Sequence, residues 1–153
     1  MASSCKFNVR VYGICINHQQ EILLADERIH GMYITKLPGG GLEFGEGTID
    51  CLKREFIEEC GQAVKVICHF YTTDFFVPSA FNPESQVISI YYLVEFEETP
   101  RFETKQQQFD FLPGSGDVFV FRWVPLNQLT SATFTFPIDK RVAELLLDFP
   151  LWF

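Results

Sequence analysis

The stretch GGLEFGEGTIDCLKREFIEECGQ, residues 40–62, places Glu55, Glu58 and Glu59 within five positions of one another. The spacing of its apolar residues predicts a helix from about Ile49 to Cys60, with Thr48 as N-cap. Gly61 suits the left-handed position that ends a helix. On such a helix Glu55 repels both Glu58 and Glu59, each like-charge pair costing about 0.2–0.5 kcal/mol. At about 100° per residue the three glutamates share an arc of roughly 100°. Ile49, Leu52, Phe56 and Cys60 fall on an adjoining arc, so the carboxylates line the flank of a buried face. Arg54, four residues before Glu58, is placed to pair with it. Taken alone, EFIEE is an ordinary solvated acidic face. The glycines just upstream change that reading, because glycine backbone can approach a ligand closely. Carbonyls from that loop and carboxylates from the helix offer the all-oxygen surroundings that suit Mg²⁺ or Mn²⁺.

Outward from this segment the chain is rich in strands. KFNVRVYGICINHQQEILLADER reads as two strands around the polar turn NHQQ, and MYITKLP as a short strand leading into a glycine-rich loop. AVKVICHFYTTDFFV and QVISIYYLVEFE are β-prone, separated by the loop PSAFNPES. TPRFETKQQQFDFLPGSGD reads as a surface insertion, and VFVFRWV as a further strand. After Pro137, Ile138, Val142, Leu145, Leu146 and Phe149 form the apolar stripe of a last helix. Strands with two helices set among them predict an α/β protein, and 153 residues predict one domain, 1–153.

Charge narrows the function. Twelve basic against 20 acidic side chains, a net −8, argue against a long nucleic-acid polymer as partner, since that binding needs many Lys and Arg. A small phosphate-bearing ligand is compatible if a cation bridges the two negative partners. No run approaches a membrane span of about 18 apolar residues, and the first ten residues lack a signal-peptide core. A cytoplasmic protein is expected. Cys5, Cys15, Cys51, Cys60 and Cys68, with His18, His30 and His69, show no zinc spacing and read as reduced thiols. The glycine loop has no Gly-Lys-Ser/Thr and is no P-loop; neither G-x-G-x-x-G after a strand nor G-x-S-x-G is present.

Residues 40–62 resemble the signature of the Nudix hydrolases, G-x5-E-x7-R-E-U-x-E-E-x-G-U, where U is a bulky aliphatic. Gly40, Glu46, Arg54, Glu55, Glu58, Glu59 and Gly61 stand at the required spacing. Phe56 and Gln62 depart from it, at positions that concern packing. KLPGG before the box and FRWVPLNQL with its following helix are similar to the family as well. The resemblance implies an α/β/α sandwich with a mixed sheet flanked by helices. It also implies a metal-dependent hydrolase that cleaves the diphosphate bond of a nucleoside diphosphate linked to another group. By position, Glu55 and Glu59 would be the principal ligands of Mg²⁺ or Mn²⁺. Glu58 would be a third ligand or organise the attacking water, the Gly40 carbonyl would join them, and Arg54 would orient the carboxylates. Glu46 would tie the loop to the helix. The general base varies within the family, and Glu95, Glu97, Glu98, Glu103 and Asp110 are further candidates.

Pro78, sixteen positions past the box, stands near where relatives that cleave ADP-ribose often carry a proline. ADP-ribose or a nucleotide sugar is therefore the first candidate substrate, with Phe75, Phe76, Phe81 and Tyr91 as aromatics that could stack on a base. The alternatives are a nucleoside triphosphate pyrophosphohydrolase of the sanitising type and a non-catalytic nucleotide sensor. The 17 phenylalanines and the C-terminal Leu151, Trp152 and Phe153 also suggest a homodimer.

Overall fold

In the computed structural model, which describes residues 6–148, most of the β-branched and aromatic runs become strands. In chain order the elements are β1 (Lys6–Cys15), β2 (Glu21–Ile29), β3 (Met32–Lys36), β4 (Gly39–Gly41), α1 (Thr48–Cys60), β5 (Val64–Thr72), β6 (Ser85–Phe96), β7 (Thr104–Lys105), β8 (Val118–Pro125) and α2 (Pro137–Asp148). Two short 3-10 turns lie between β8 and α2. The chain divides into two compact units. Of the described residues, 6–13 with 39–98 form one, and 14–38 with 99–148 form the other.

The first unit is built on a four-stranded sheet in the order β4-β1-β6-β5. Of the glycine-rich segment read from sequence as a loop, Gly39–Gly41 are in fact strand β4, antiparallel to β1, with Val11 opposite Gly40 and Arg10 opposite Gly41, while Gly45 and Gly47 lie in a loop as read. Glycine carries almost no strand signal of its own, so this pairing is set by the partner strand. Val11 and Gly13 point to one face of β1, and Gly40, opposite Val11, shares it. That face receives α1, whose Cys51, Leu52, Phe56 and Cys60 are buried. Ile49, expected on the buried arc, is instead 43% exposed at the helix start, and Cys51 takes the inward place. Gly61 ends the helix at φ 69° as expected. Thr48 is not the cap: Gly47 holds that position without a side-chain bond, and the Thr48 hydroxyl lies 2.6 Å from the Tyr92 hydroxyl on β6.

The second unit has a mixed sheet in the order β3-β2-β8-β7, with β7 parallel to β8 and the other pairs antiparallel. Asp26, fully buried on β2, accepts from Arg122 Nε at 2.7 Å and from the Thr35 hydroxyl at 2.8 Å. The segment read as a surface insertion is anchored to this network. Gln108 donates to Thr35 at 3.0 Å, and Arg28 donates to the Leu112 and Gly116 carbonyls at 2.9 and 2.8 Å. Its Phe109 and Phe111 rings pack against Tyr33, the first tilted and the second edge-on, a role its polar composition concealed. In α2, Ile138, Val142 and Leu146 of the predicted stripe are buried, joined by Ala143; Leu145 is only half-buried, and Phe149 lies outside the described residues. No helix among the described residues is long and apolar enough to cross a membrane.

Candidate active site on helix α1

The repulsion among the glutamates is met first by Arg54. Its Nε and Nη2 donate to the two carboxylate oxygens of Glu46 at 3.0 and 2.7 Å, a bidentate pair. Nη1 donates to Glu55 at 3.1 Å and to both oxygens of Glu58 at 3.2 Å. Nη2 also donates to the Gly41 carbonyl at 3.1 Å, and Glu43 approaches Nη1 at 3.8 Å. The i,i+4 pair of Arg54 with Glu58 is thus present, but the best geometry belongs to Glu46, eight residues upstream. Glu46 also accepts from the backbone N–H of Glu43 at 2.9 Å, which closes the turn before the helix. These bonds, that from Arg54 foremost, hold the Glu46 carboxyl down at about 2. The same partners keep Arg54 firmly protonated, its guanidinium raised above the usual value.

Cys51, one turn before Glu55, lies under this cluster. Its thiol donates to the Gly41 carbonyl at 3.4 Å, and Arg54 Nη2 approaches its sulfur at 3.7 Å. Burial, reinforced by the Glu46 carboxylate, pushes the thiol up to about 12, so it stays protonated. Sequence reasoning missed this residue, because only the returning strand reveals what its side chain meets.

Gly40 sits directly beneath Glu55. A Cβ at Gly40 would lie 2.4 Å from Glu55 Oε1 and 2.5 Å from its Cδ, so the carboxylate occupies the space that any other residue would fill. The Glu55 side chain is 13% exposed and that of Glu58 56%. Glu59 is half-buried on the same helix. The structure therefore brings Gly40, Glu46, Arg54, Glu55 and Glu58 together. Among the described residues, no three His, Cys, Asp or Glu side chains already surround one point as a metal cage would. The donor set nonetheless fits a hard cation. It offers carboxylate and carbonyl oxygens only, the thiol beside them is protonated, and four carboxylates lie within 4.0 Å of one guanidinium.

Of the other acids considered as base, Glu95 approaches Lys65 at 4.0 Å and Glu103 approaches Lys105 at 2.9 Å, both on exposed surface. Phe75, Phe76 and Phe81 are exposed around Pro78, which bridges to Gln86 near the start of β6. Tyr91, offered with them from sequence, is instead a core residue stacked between Tyr12 and Tyr71.

The NUDIX domain family model matches residues 6–146. Among solved structures, a MutT protein described for Aliivibrio salmonicida and Vibrio cholerae is 25% identical, with a TM-score of 0.62 over 94% of this chain and 100% of the other. The MutT NUDIX hydrolase from Burkholderia pseudomallei is 19% identical, with a TM-score of 0.68 over 92% of this chain and 98% of the other. An ADP-ribose pyrophosphatase from Streptococcus suis is 20% identical, with a TM-score of 0.53 over 92% of this chain and 87% of the other. The likeness is one of fold, α/β with mixed sheet and two helices. No sequence among the curated proteins matches. Since the family model runs from β1 into α2 and the charged positions of the box are complete between them, the chain belongs to the Nudix family of pyrophosphohydrolases.

Proposed function

We propose that the chain, as one Nudix domain over 1–153, is a metal-dependent hydrolase of a nucleoside diphosphate linked to another group, ADP-ribose or a nucleotide sugar first among them. The observation that carries the metal dependence is the charge of the α1 cluster. Four carboxylates around one guanidinium leave an excess of negative charge that would repel a diphosphate. A divalent ion resolves that conflict, so Glu55, Glu59 and Glu58, with the Gly40 carbonyl, are the residues that would hold Mg²⁺ or Mn²⁺. When bound, such an ion screens the diphosphate oxygens and lowers the pKa of a water. Arg54 orients Glu55 and Glu58 through the bonds it donates to both. Glu58 or Glu59 takes the proton of the attacking water, a contribution of about 10²–10⁴-fold. Glu46 holds Arg54 in register and does not touch the reaction.

For the substrate, support comes from the exposed Phe75, Phe76 and Phe81 around Pro78 and from the likeness to the Streptococcus suis ADP-ribose pyrophosphatase. A panel of nucleoside diphosphate derivatives and triphosphates with Mg²⁺ or Mn²⁺, products read by mass, tests it. ADP-ribose should give AMP and ribose 5-phosphate; triphosphates cleaved to a monophosphate and pyrophosphate, with diphosphate derivatives untouched, would overturn this reading. Glu59→Gln should abolish the Mg²⁺-dependent turnover and leave the fold in place, and wild-type turnover in that variant would remove Glu59 from the ligand set. The chain is further read as cytoplasmic. It is also read as a homodimer, whose C-terminal Leu151, Trp152 and Phe153 lie outside the described residues. A monomeric mass by light scattering would refute the dimer.

A further inference from the structure

Phe56, where the family signature has an aliphatic residue, is matched by a feature outside the box. Gly13, near the C-terminal end of β1, has no side chain where the ring enters. A Cβ there would lie 2.7 Å from Phe56 Cε2, 2.9 Å from Cζ and 3.1 Å from Val94 Cγ2. The ring is fully buried and meets Phe96 edge-on at 5.8 Å, so close packing leaves little space for it to swing aside. Glycine inside a strand ordinarily costs stability, and here it marks a close approach. The neighbouring strand β4 repeats the arrangement: Gly40, paired with Val11, leaves the space taken by the Glu55 carboxylate. Two consecutive helix residues thus drop into two notches on adjacent strands, one apolar and one charged.

We propose that Phe56, seated in the Gly13 notch, is a positioning residue for Glu55: the depth of the ring sets the height of α1 over β1 and β4, and with it the place of the carboxylate at Gly40. The inference rests on Glu55 belonging to the active site, as read above. The notch is specific in size. Alanine at Gly13 must open a 2.7 Å gap toward the 3.4 Å of ordinary contact, and with the ring walled in, the relief is a lift of the helix. A smaller residue at position 56 removes the collision.

The test compares wild type, Gly13→Ala, Phe56→Leu and the double variant. Mn²⁺ binding to the protein alone is read by electron paramagnetic resonance. kcat and KM are read on ADP-ribose, or on GTP if the panel selects triphosphates. Displacements of this size cost about 10- to 100-fold. Gly13→Ala should weaken Mn²⁺ binding and lower kcat by that range with KM nearly unchanged, and the double variant should recover most of both. A ring with only a structural role would lower the melting temperature and leave Mn²⁺ affinity untouched, which would overturn the proposal. So would a double variant no better than Gly13→Ala. If Gly13→Ala does not fold, the comparison of the double variant with Phe56→Leu decides: tighter Mn²⁺ binding in the double supports the notch, and equal or weaker binding refutes it. Glu55→Gln separates the two levels. If it keeps Mn²⁺ binding and turnover, the active-site reading fails; if it loses both while Gly13→Ala loses neither, only the positioning role fails.

Discussion

Replacing Gly40 by alanine is the sharpest perturbation the structure offers, because the added atom meets a carboxylate and not the backbone. Its Cβ would lie 2.4 Å from Glu55 Oε1, 2.5 Å from Cδ and 2.7 Å from Oε2. Reaching ordinary contact from 2.4 Å requires the carboxylate to retreat by about 1 Å, a misplacement that costs about 10²-fold in rate. That is about 2.7 kcal/mol of lost transition-state stabilisation. The fold has little reason to respond, since the far end of a glutamate can swing away. Replacing glycine where the backbone is compatible even contributes about 0.4–1 kcal/mol by restricting the unfolded chain. A melting temperature within about 4 °C of wild type is therefore expected. Gly41→Ala is the control on the next residue. Its Cβ would meet only Arg10 Nη1 at 3.7 Å, an ordinary contact, so activity should stay within about threefold. Metal-dependent kcat/KM on ADP-ribose, or on the substrate class that the panel selects, is measured beside a thermal melt for each protein. Wild-type kcat/KM in Gly40→Ala, or an equal loss in Gly41→Ala, would refute the placement of Glu55 in the site.

Three further outcomes follow from the same contacts. Glu46 titrates at about 2 when folded against an ordinary 4.5, so it stabilises the fold fully above the higher value and loses that effect as pH falls through the lower. Glu46→Gln should accordingly flatten the melting-temperature profile between about pH 5 and 2, and an unchanged acid limb would contradict the Arg54 pairing. Arg122→Ala leaves the buried Asp26 carboxylate without its guanidinium, a loss of about 3–5 kcal/mol that should lower the melting temperature by about 6–20 °C; a shift under about 3 °C in a thermal melt would show that the pair is dispensable. Iodoacetamide at pH 8 should label exposed Cys68 and spare Cys51, whose buried thiol titrates near 12, and mass spectrometry that finds Cys51 alkylated in the folded protein would refute its burial.

Helix α1 and the long strands were legible because their signals are local: apolar spacing in one case, β-branched and aromatic runs in the other. What escaped reading depends on partners far along the chain. β4 is three glycines whose strand character exists only in the pairing with Arg10, Val11 and Tyr12. Thr48 has the chemistry of a cap, but Tyr92, 44 residues on, takes its hydroxyl. The segment before β8 lies on the surface as read, but its composition does not show that Arg28 and Thr35, from another strand pair, hold its backbone and a side chain. Tyr91 has the chemistry of a stacking surface, but in a strand-rich context an aromatic is more often core, and its place beside Tyr12 and Tyr71 bears that out.

The site divides along the same line. The pairing of Arg54 with Glu58 follows from helical geometry, whereas that with Glu46 bridges a turn, and resemblance implied only that Glu46 ties the loop to the helix. Arg54 explains why both are needed. A guanidinium has five donors in a rigid plane, and here one edge is committed to Glu46 while Nη1 serves Glu55 and Glu58. With Glu46 in place the plane of Arg54 is fixed from the loop side, so the two helix carboxylates are held by a group that is itself anchored. Lysine at position 54 would keep the charge but not the plane. A point charge could neutralise one carboxylate at a time and would leave the others to repel one another, which is why an arginine, and not simply a cation, belongs at the centre of this acidic helix.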